Sequence, residues 1–118
     1  MSFQQGLSGL NASSKALDSV GNNIANVNTV GFKSSRATFE DVLYQSINGA
    51  SGTSQVGRGA ALSSVDTSFG QGSFESTSES TDLAIGGKGF FIVRSAENET
   101  NYYTRAGQFR FDSDGYMT

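Results

Sequence analysis

The sequence predicts an α+β protein with a long N-terminal helix of coiled-coil type, an extended connector, and the start of a β-rich outer domain. In the first part of the chain, apolar residues recur at a seven-residue interval, which is typical of a helix that packs along one stripe. Beyond Gln55, apolar and polar residues alternate in short runs separated by glycines, which indicates strands and turns. We therefore expect a helix over residues 1–30, a hinge and connector with a short helix over 31–75, and the first strands of a truncated outer domain over 76–118.

The first helix is expected from Ser2 to about Val27. We define its apolar stripe as Phe3, Leu7, Leu10, Leu17 and Ile24. Only Lys15 and Asp18 are charged in this segment, whereas a free surface helix normally carries a charged face. We interpret the stripe as an assembly surface. The alternative is an ordinary amphipathic helix that packs on the sheet of its own domain.

A hinge is expected directly after this helix, where Asn, Gly and Thr cluster. Asparagine and glycine accept the left-handed backbone conformations that end helices. Gly31 is expected to hold such a conformation, so Gly31→Val should harm assembly more than Gly31→Asn. The candidate hinge residues are Asn23, Asn26, Asn28, Thr29, Gly31, Phe32 and Lys33.

A second, short helix is expected from Thr38, because Thr38 and Asp41 have the spacing of a capping box. Its apolar face would consist of Phe39, Val42, Leu43 and Ile47. The segment Asn48–Gln55 has the composition of a flexible linker, and we predict a mobile loop there.

Strands are expected later in the chain, at Leu62–Phe69, Asp82–Ile85, Phe90–Val93, Tyr102–Thr104 and Gln108–Phe111. Phe90–Val93 should be the most buried of them, and turns are expected at Glu97–Asn98 and Ala106–Gly107. We predict a hairpin turn at Asp112–Gly115. Its alternating aspartates also resemble the start of a calcium loop, so ion binding by Asp112 or Asp114 stays open.

The composition argues against most catalytic and binding chemistry. Histidine and cysteine are both absent, which removes the commonest general base and thiolate or imidazole metal ligands. Eight basic and eleven acidic residues give a net charge of −3, which is unsuited to nucleic acid. We expect no catalytic site, cofactor or metal, no nucleic-acid partner, no cleaved signal peptide and no insertion into a membrane.

The glycine-rich segment Gly86–Gly89 resembles a phosphate-binding loop superficially. A P-loop needs a Ser or Thr after its Lys and a helix that begins at the phosphate, but Gly89 and a predicted strand follow Lys88. We therefore interpret the segment as a tight turn.

Two stretches carry the pattern of a known family. The stretch Gly21–Lys33 resembles the N-terminal signature of bacterial flagellar rod and hook proteins. Thr81–Phe91, followed by Tyr103–Phe109, resembles the block that opens the outer domain of that family. The matching outer-domain positions are Asp82, Leu83, Ile85, Gly89, Phe90, Phe91, Arg105, Gly107 and Phe109.

This resemblance implies a structural, self-assembling subunit rather than an enzyme. In the family the N-terminal helix pairs with a C-terminal helix of the same subunit and lines a hollow helical tube. The implied partners are further copies of the chain, the other axial proteins (rod, hook-filament junction and hook cap) and the type III export apparatus. The implied location is the extracellular flagellum, at the hook and basal body.

Within the family, Met1–Leu10 resembles the hook subunit more than the distal rod subunit, although Phe39–Gln45 is rod-like. A hook subunit would form a flexible tube that transmits torque from rod to filament. Two alternatives stay open: a distal rod subunit, and a soluble β-rich binding module with a helical docking segment.

Overall fold

The computed structural model of the protein describes residues 2–42, 45–49 and 52–118. This part of the chain contains one long helix and six strands: α1 (Ser2–Ala25), β1 (Ser35–Asp41), β2 (Gln45–Gly49), β3 (Gly52–Val56), β4 (Ala60–Thr67), β5 (Phe91–Arg94) and β6 (Asn101–Thr104). The strands form three two-stranded antiparallel sheets, β1–β4, β2–β3 and β5–β6. The predicted α+β class and the long N-terminal helix are confirmed.

Helix α1 ends at Ala25, within the Asn- and Gly-rich segment expected to stop it. Two turns follow, in which Thr29 N donates to Asn26 O at 3.0 Å and Phe32 N donates to Thr29 O at 3.2 Å. Gly31 then holds φ at +72°, a value that side chains with a Cβ adopt only with strain. The predicted left-handed conformation at the hinge is confirmed.

The short helix predicted from Thr38 is wrong. This segment is β1, which pairs with β4 and has a register shift between Thr38 and Phe39. The Thr38 hydroxyl, which was expected to cap a helix, lies 2.7 Å from the Ser64 hydroxyl on β4. Cross-strand pairing of Phe39 with Leu62 overrides the weak local helix signal. Leu43, one of the predicted helix residues, lies outside the described residues.

The mobile loop predicted at Asn48–Gln55 is also wrong over its described part. Strands β2 and β3 pair antiparallel, in a register that places Asn48 opposite Thr53 and Gly49 opposite Gly52. Asn and Gly are frequent in hairpins as well as in linkers, and composition alone does not distinguish the two.

Strand β4 confirms the predicted run from Leu62, and β5 and β6 confirm those at Phe90 and Tyr102 within one or two residues. The predicted strands Asp82–Ile85 and Gln108–Phe111 are wrong, because these segments make only single bridges, Asp82 with Gln108 and Phe111 with Met117. Phe90–Val93 was expected to be the most buried of the strands, and in it Phe91 and Val93 are half-buried while Phe90 and Ile92 are exposed. No hydrophobic side chain in the described residues is fully buried. Two-stranded sheets leave too much of each face uncovered to build a core.

The chain divides into two compact units. Unit 1 comprises Met1–Ala25 and Ser34–Ser68, and unit 2 comprises Asn26–Lys33 and Phe69–Thr118. Unit 1 contains α1 packed on β1 and β4, whereas unit 2 contains β5 and β6. The sequence-based division at residues 30 and 75 stays a prediction. No helix in the described ranges is both long enough and apolar enough to cross a membrane.

Candidate assembly surfaces

The first half of α1 is held to its own unit by polar side chains. The Ser8 hydroxyl donates to Ala60 O at 2.7 Å and accepts a hydrogen bond from Ala60 N at 3.1 Å. The Gln5 amide donates to Gly57 O. A Cβ on Gly59, which has a φ of +99°, would lie 2.6 Å from the Ser8 Oγ, so glycine permits this close approach.

The second half of α1 is held at the start of β1. The Asn23 amide donates to Ser35 O at 2.7 Å and accepts from Ser35 N at 3.0 Å, as a neighbouring strand would. The Ser19 hydroxyl donates to the same carbonyl at 3.0 Å. Asn23, predicted as a hinge residue, therefore ties the last turns of α1 to the start of β1 within unit 1.

The apolar stripe lies on the opposite side of α1. At about 100° per residue, the stripe residues point roughly 170° away from the polar side chains that contact β1 and β4. Their exposed fractions are 82% for Phe3, 49% for Leu7, 70% for Leu10, 70% for Leu17 and 67% for Ile24. The helix thus shows the reverse of ordinary amphipathicity, with polar groups toward its own unit and apolar groups outward.

Glycines on α1 strengthen this contrast. Apart from the helix's own backbone, a Cβ added to Gly6, Gly9 or Gly21 would meet no atom of the described residues within 4 Å. Gly6 lies with Phe3, Leu7 and Leu10 around a shallow depression of about 520 Å³. Glycine within a helix costs about 0.5–1 kcal/mol relative to alanine, and no contact of the described residues requires glycine at these positions.

The remaining hinge residues belong to unit 2. Thr29 Oγ1 donates to Asn26 Oδ1 at 3.2 Å, and Lys33 Nζ donates to Gly70 O at 2.8 Å. Phe32 is half-buried and Asn28 is exposed. Gly31 packs so closely on the chain that a Cβ there would lie 2.6 Å from the carbonyl carbon of Arg105.

Arg105 organises the glycine-rich turn of unit 2. Its Nη1 donates to Gly89 O at 2.6 Å, and its Nη2 donates to Gly87 O at 2.7 Å and to Ile85 O at 3.0 Å. Nη2 also lies 2.9 Å from Gln71 Oε1, which in turn accepts from Gly87 N at 3.1 Å. The backbone bends at Gly87 and Lys88, within the turn expected at Gly86–Gly89. The Arg105 guanidinium group, whose fork of donors suits several carbonyl oxygens at once, holds this segment together with the Gln71 side chain.

Gly107 is the buried centre of the outer-domain signature. Leu83 N donates to Gly107 O at 2.8 Å, and a Cβ on Gly107 would lie only 1.7 Å from Leu83 O. The rings of Phe91 and Phe109 meet edge to face beside it, with centroids 5.2 Å apart. Only glycine allows the two backbones to come this close.

The last two signature residues also have partners in unit 2. The Asp82 carboxylate accepts from the Thr77 hydroxyl at 2.6 Å. The Phe90 ring packs edge to face on Phe69, with centroids 6.0 Å apart. All nine predicted outer-domain residues therefore lie in one unit, most of them around Arg105 and Gly107.

The turn at Asp112–Gly115 is confirmed as a hairpin turn. Asp112 Oδ1 accepts from Asp114 N at 3.0 Å and from Tyr116 N at 2.8 Å, and Gly115 has a φ of +83°. The carboxylate thus binds the turn backbone. Among the described residues, no group of three or more His, Cys, Asp or Glu side chains is placed to hold a metal ion.

Sequence reasoning missed Gln5, Ser8, Ser19 and Gln71. Gln5, Ser8 and Ser19 lie on one face of α1 at helical spacing. This spacing is a signal of a shared contact face that the sequence argument, which used only apolar residues, did not include. Gln71 carries no such signal, because the fold alone brings it next to its partners, which are the Arg105 guanidinium group and the backbone of Ile85 and Gly87.

Two parts of the chain match models of known protein families. Residues 3–33 match the flagella basal body rod protein family, and residues 84–118 match the D1 domain family of the flagellar hook protein FlgE/F/G. These matches cover the first stretch that carried the resemblance and the second from Ala84 onward, so both ends of the chain are similar to flagellar rod and hook proteins.

Among individual relatives, the chain is similar both to flagellar hook proteins and, at slightly lower identity, to flagellar rod proteins. Over 98% of the chain, it is 47% identical to the flagellar hook protein FlgE of Borreliella burgdorferi, of which it covers 28%. It is 43% identical to the FlgE of Helicobacter mustelae, again over 98% of this chain and 28% of the relative. It is 42% identical to the basal-body rod protein FlgG of Bacillus subtilis over 98% of this chain and 47% of the relative. The chain therefore spans less than half the length of these relatives.

Proposed function

We propose that this chain is the N-terminal part of a self-assembling subunit of the bacterial flagellar hook. The subunit forms a hollow, flexible helical tube that transmits torque from rod to filament. The observation that carries the proposal is the apolar stripe of α1, which faces away from the unit that the helix packs on. The 47% identity to a hook protein over 98% of the chain supports the choice of the hook.

The stripe supplies the driving force for assembly. Full burial of each large side chain contributes roughly 1.5–3 kcal/mol, so five such residues contribute about 8–15 kcal/mol before ordering costs are subtracted. Association entropy and side-chain ordering offset much of this gain. The remainder suits a contact that each subunit repeats many times along a polymer.

The stripe also explains Gly6 and Gly21, at which the contacts of the described residues leave room for a larger side chain. In a polymer, Gly6 and Gly21 would allow the backbone of a partner helix to approach α1 closely, as small residues do at tightly packed helix pairs. The proposed partners of the assembled subunit are its own copies, the other axial proteins and the export apparatus. The proposed location is the flagellum, reached without a cleaved signal peptide.

The competing function is that of a distal rod subunit. Its support is the 42% identity to a rod protein over 98% of the chain. Complementation separates the two: expression of the full-length protein should restore motility in a strain that lacks its hook subunit but not in one that lacks its distal rod subunit. The reverse pattern would establish the rod function.

The experiment that tests the stripe is Leu17→Lys in the full-length protein. A charge in the stripe should abolish polymerisation, because its burial leaves an ammonium group without a partner. Unit 2, to which Leu17 does not belong, should stay folded, as limited proteolysis would report. Asn11→Lys is the matched control, since it adds the same charge to an exposed position on the flank of α1.

Normal polymerisation of Leu17→Lys would contradict the proposal. So would equal loss of polymer in the Asn11→Lys control, because the effect would then follow from charge on the helix and not from its position.

A further inference from the structure

A basic groove with an aromatic floor lies on unit 2. It encloses about 340 Å³ and is lined by Lys33, Phe69, Gly87, Lys88, Gly89, Phe90 and Arg105. The rings of Phe69 and Phe90 pack edge to face, yet both stay well exposed. Exposed aromatic rings next to cationic groups are typical of protein contact surfaces.

The charge of this groove is not balanced within the described part of the chain. Three of the chain's eight basic side chains line it, and no acidic residue does. Lys33 and Arg105 donate to neutral oxygens, and the ion pair among the described residues, Arg94 with Glu99, lies elsewhere. The groove therefore favours a partner that brings carboxylates.

The same unit carries a surface of the opposite charge. Glu75, Glu79 and Asp82 line a second depression of about 350 Å³, together with Val30 and Leu83, and no basic residue lines it. Glu75 and Glu79 are exposed. The two depressions share no residue, so each copy of the chain offers both surfaces at once.

We propose that the basic groove of one copy binds the acidic surface of a second copy. Two different surfaces meet in such a contact, so it is heterologous, and a heterologous contact that does not close into a ring produces an open helical polymer. This inference rests on the proposed self-assembling function and names a second contact for it, on unit 2 and separate from the apolar stripe.

Charge reversal tests the contact in the full-length protein. Lys88→Glu and Glu79→Lys should each raise the critical concentration for polymerisation by about tenfold, because like charges then face one another. The double variant restores opposite charges and should return the critical concentration to near the wild-type value. Lys88 and Glu79 are both exposed, so the fold tolerates these changes, and circular dichroism checks this.

Mixing the two single variants gives a second readout. In a head-to-tail contact, the unaltered groove of Glu79→Lys faces the unaltered acidic surface of Lys88→Glu, and the two altered surfaces also attract one another. An equimolar mixture should therefore polymerise better than either variant alone. Added salt should reduce the differences between variants, because it screens exposed charges.

Two results would overturn this contact: single variants that polymerise at the wild-type concentration, or a double variant no better than either single one. The proposed function fails differently, since polymer would then be absent from the wild-type protein or unaffected by Leu17→Lys.

Discussion

Gly21→Ala should have opposite effects on the subunit and on the polymer. Gly21 lies on the stripe face of α1 between Leu17 and Ile24, and a Cβ there would meet no described atom within 4 Å beyond the helix's own backbone. In the free subunit, alanine should stabilise the helix by about 0.5–1 kcal/mol, because it loses less backbone freedom on folding than glycine.

In the polymer the same methyl group should be unfavourable. A partner that packs closely on the stripe would have to move away from an added Cβ, and overpacking of this kind costs about 1–3 kcal/mol. Because about 1.4 kcal/mol corresponds to a factor of ten in an equilibrium constant, the critical concentration should rise roughly 5- to 150-fold.

The assay pairs two measurements on one variant. Circular dichroism should report more helix in the dilute subunit, and sedimentation should report less polymer at equal protein concentration. Gly9→Ala is the matched control: it also has no neighbour within 4 Å, but it lies about 110° from the centre of the stripe. It should increase helix content without a loss of polymer. Wild-type polymerisation by Gly21→Ala, or equal loss in Gly9→Ala, would refute close packing on the stripe.

Substitutions at three further positions test the hinge and the outer-domain signature. Gly31→Asn and Gly31→Val should both impair folding of unit 2, because any Cβ would lie 2.6 Å from the Arg105 backbone. Limited proteolysis measures this, and near-normal resistance of the asparagine variant would contradict the contact. Gly107→Ala should destabilise unit 2 by several kcal/mol, because its Cβ would lie 1.7 Å from Leu83 O and force the backbones of residues 83 and 107 apart. Urea unfolding measures this loss of stability. Arg105→Lys should make residues 85–89 exchange amide hydrogens faster, because one ammonium group cannot replace both guanidinium nitrogens; unchanged exchange would show that the turn forms without this fork.

The Gly31 prediction shows how the structure changes a sequence argument. From the sequence, Gly31→Asn was expected to harm assembly less than Gly31→Val, because asparagine adopts left-handed conformations more easily than valine. The positive φ is present, but the Arg105 backbone lies against the same atom. Steric exclusion by a residue far along the chain cannot be inferred from the local sequence.

The sequence by itself determined the features that depend on local order. The spacing of Phe3, Leu10, Leu17 and Ile24 defines a helix and its apolar face, because side chains that share a face recur with the helical period. The Asn- and Gly-rich segment after the helix defines its end, because those residues accept the conformations that stop helices. The two signature stretches were also visible in order and spacing, which is why the relationship to flagellar proteins was evident before any fold was known.

Only the tertiary structure decided which segments pair and what the helix leaves exposed. The segment Ser35–Asp41 has weak helix and strand signals, and pairing with β4 selects the strand. From the sequence, the apolar stripe could also have packed on the sheet of its own unit. In the structure the opposite face of α1 does so, because Ser8 and Asn23 are hydrogen-bonded to strand backbone there. Such contacts join residues that are distant in sequence, and their free energy exists only once the backbone has brought them together.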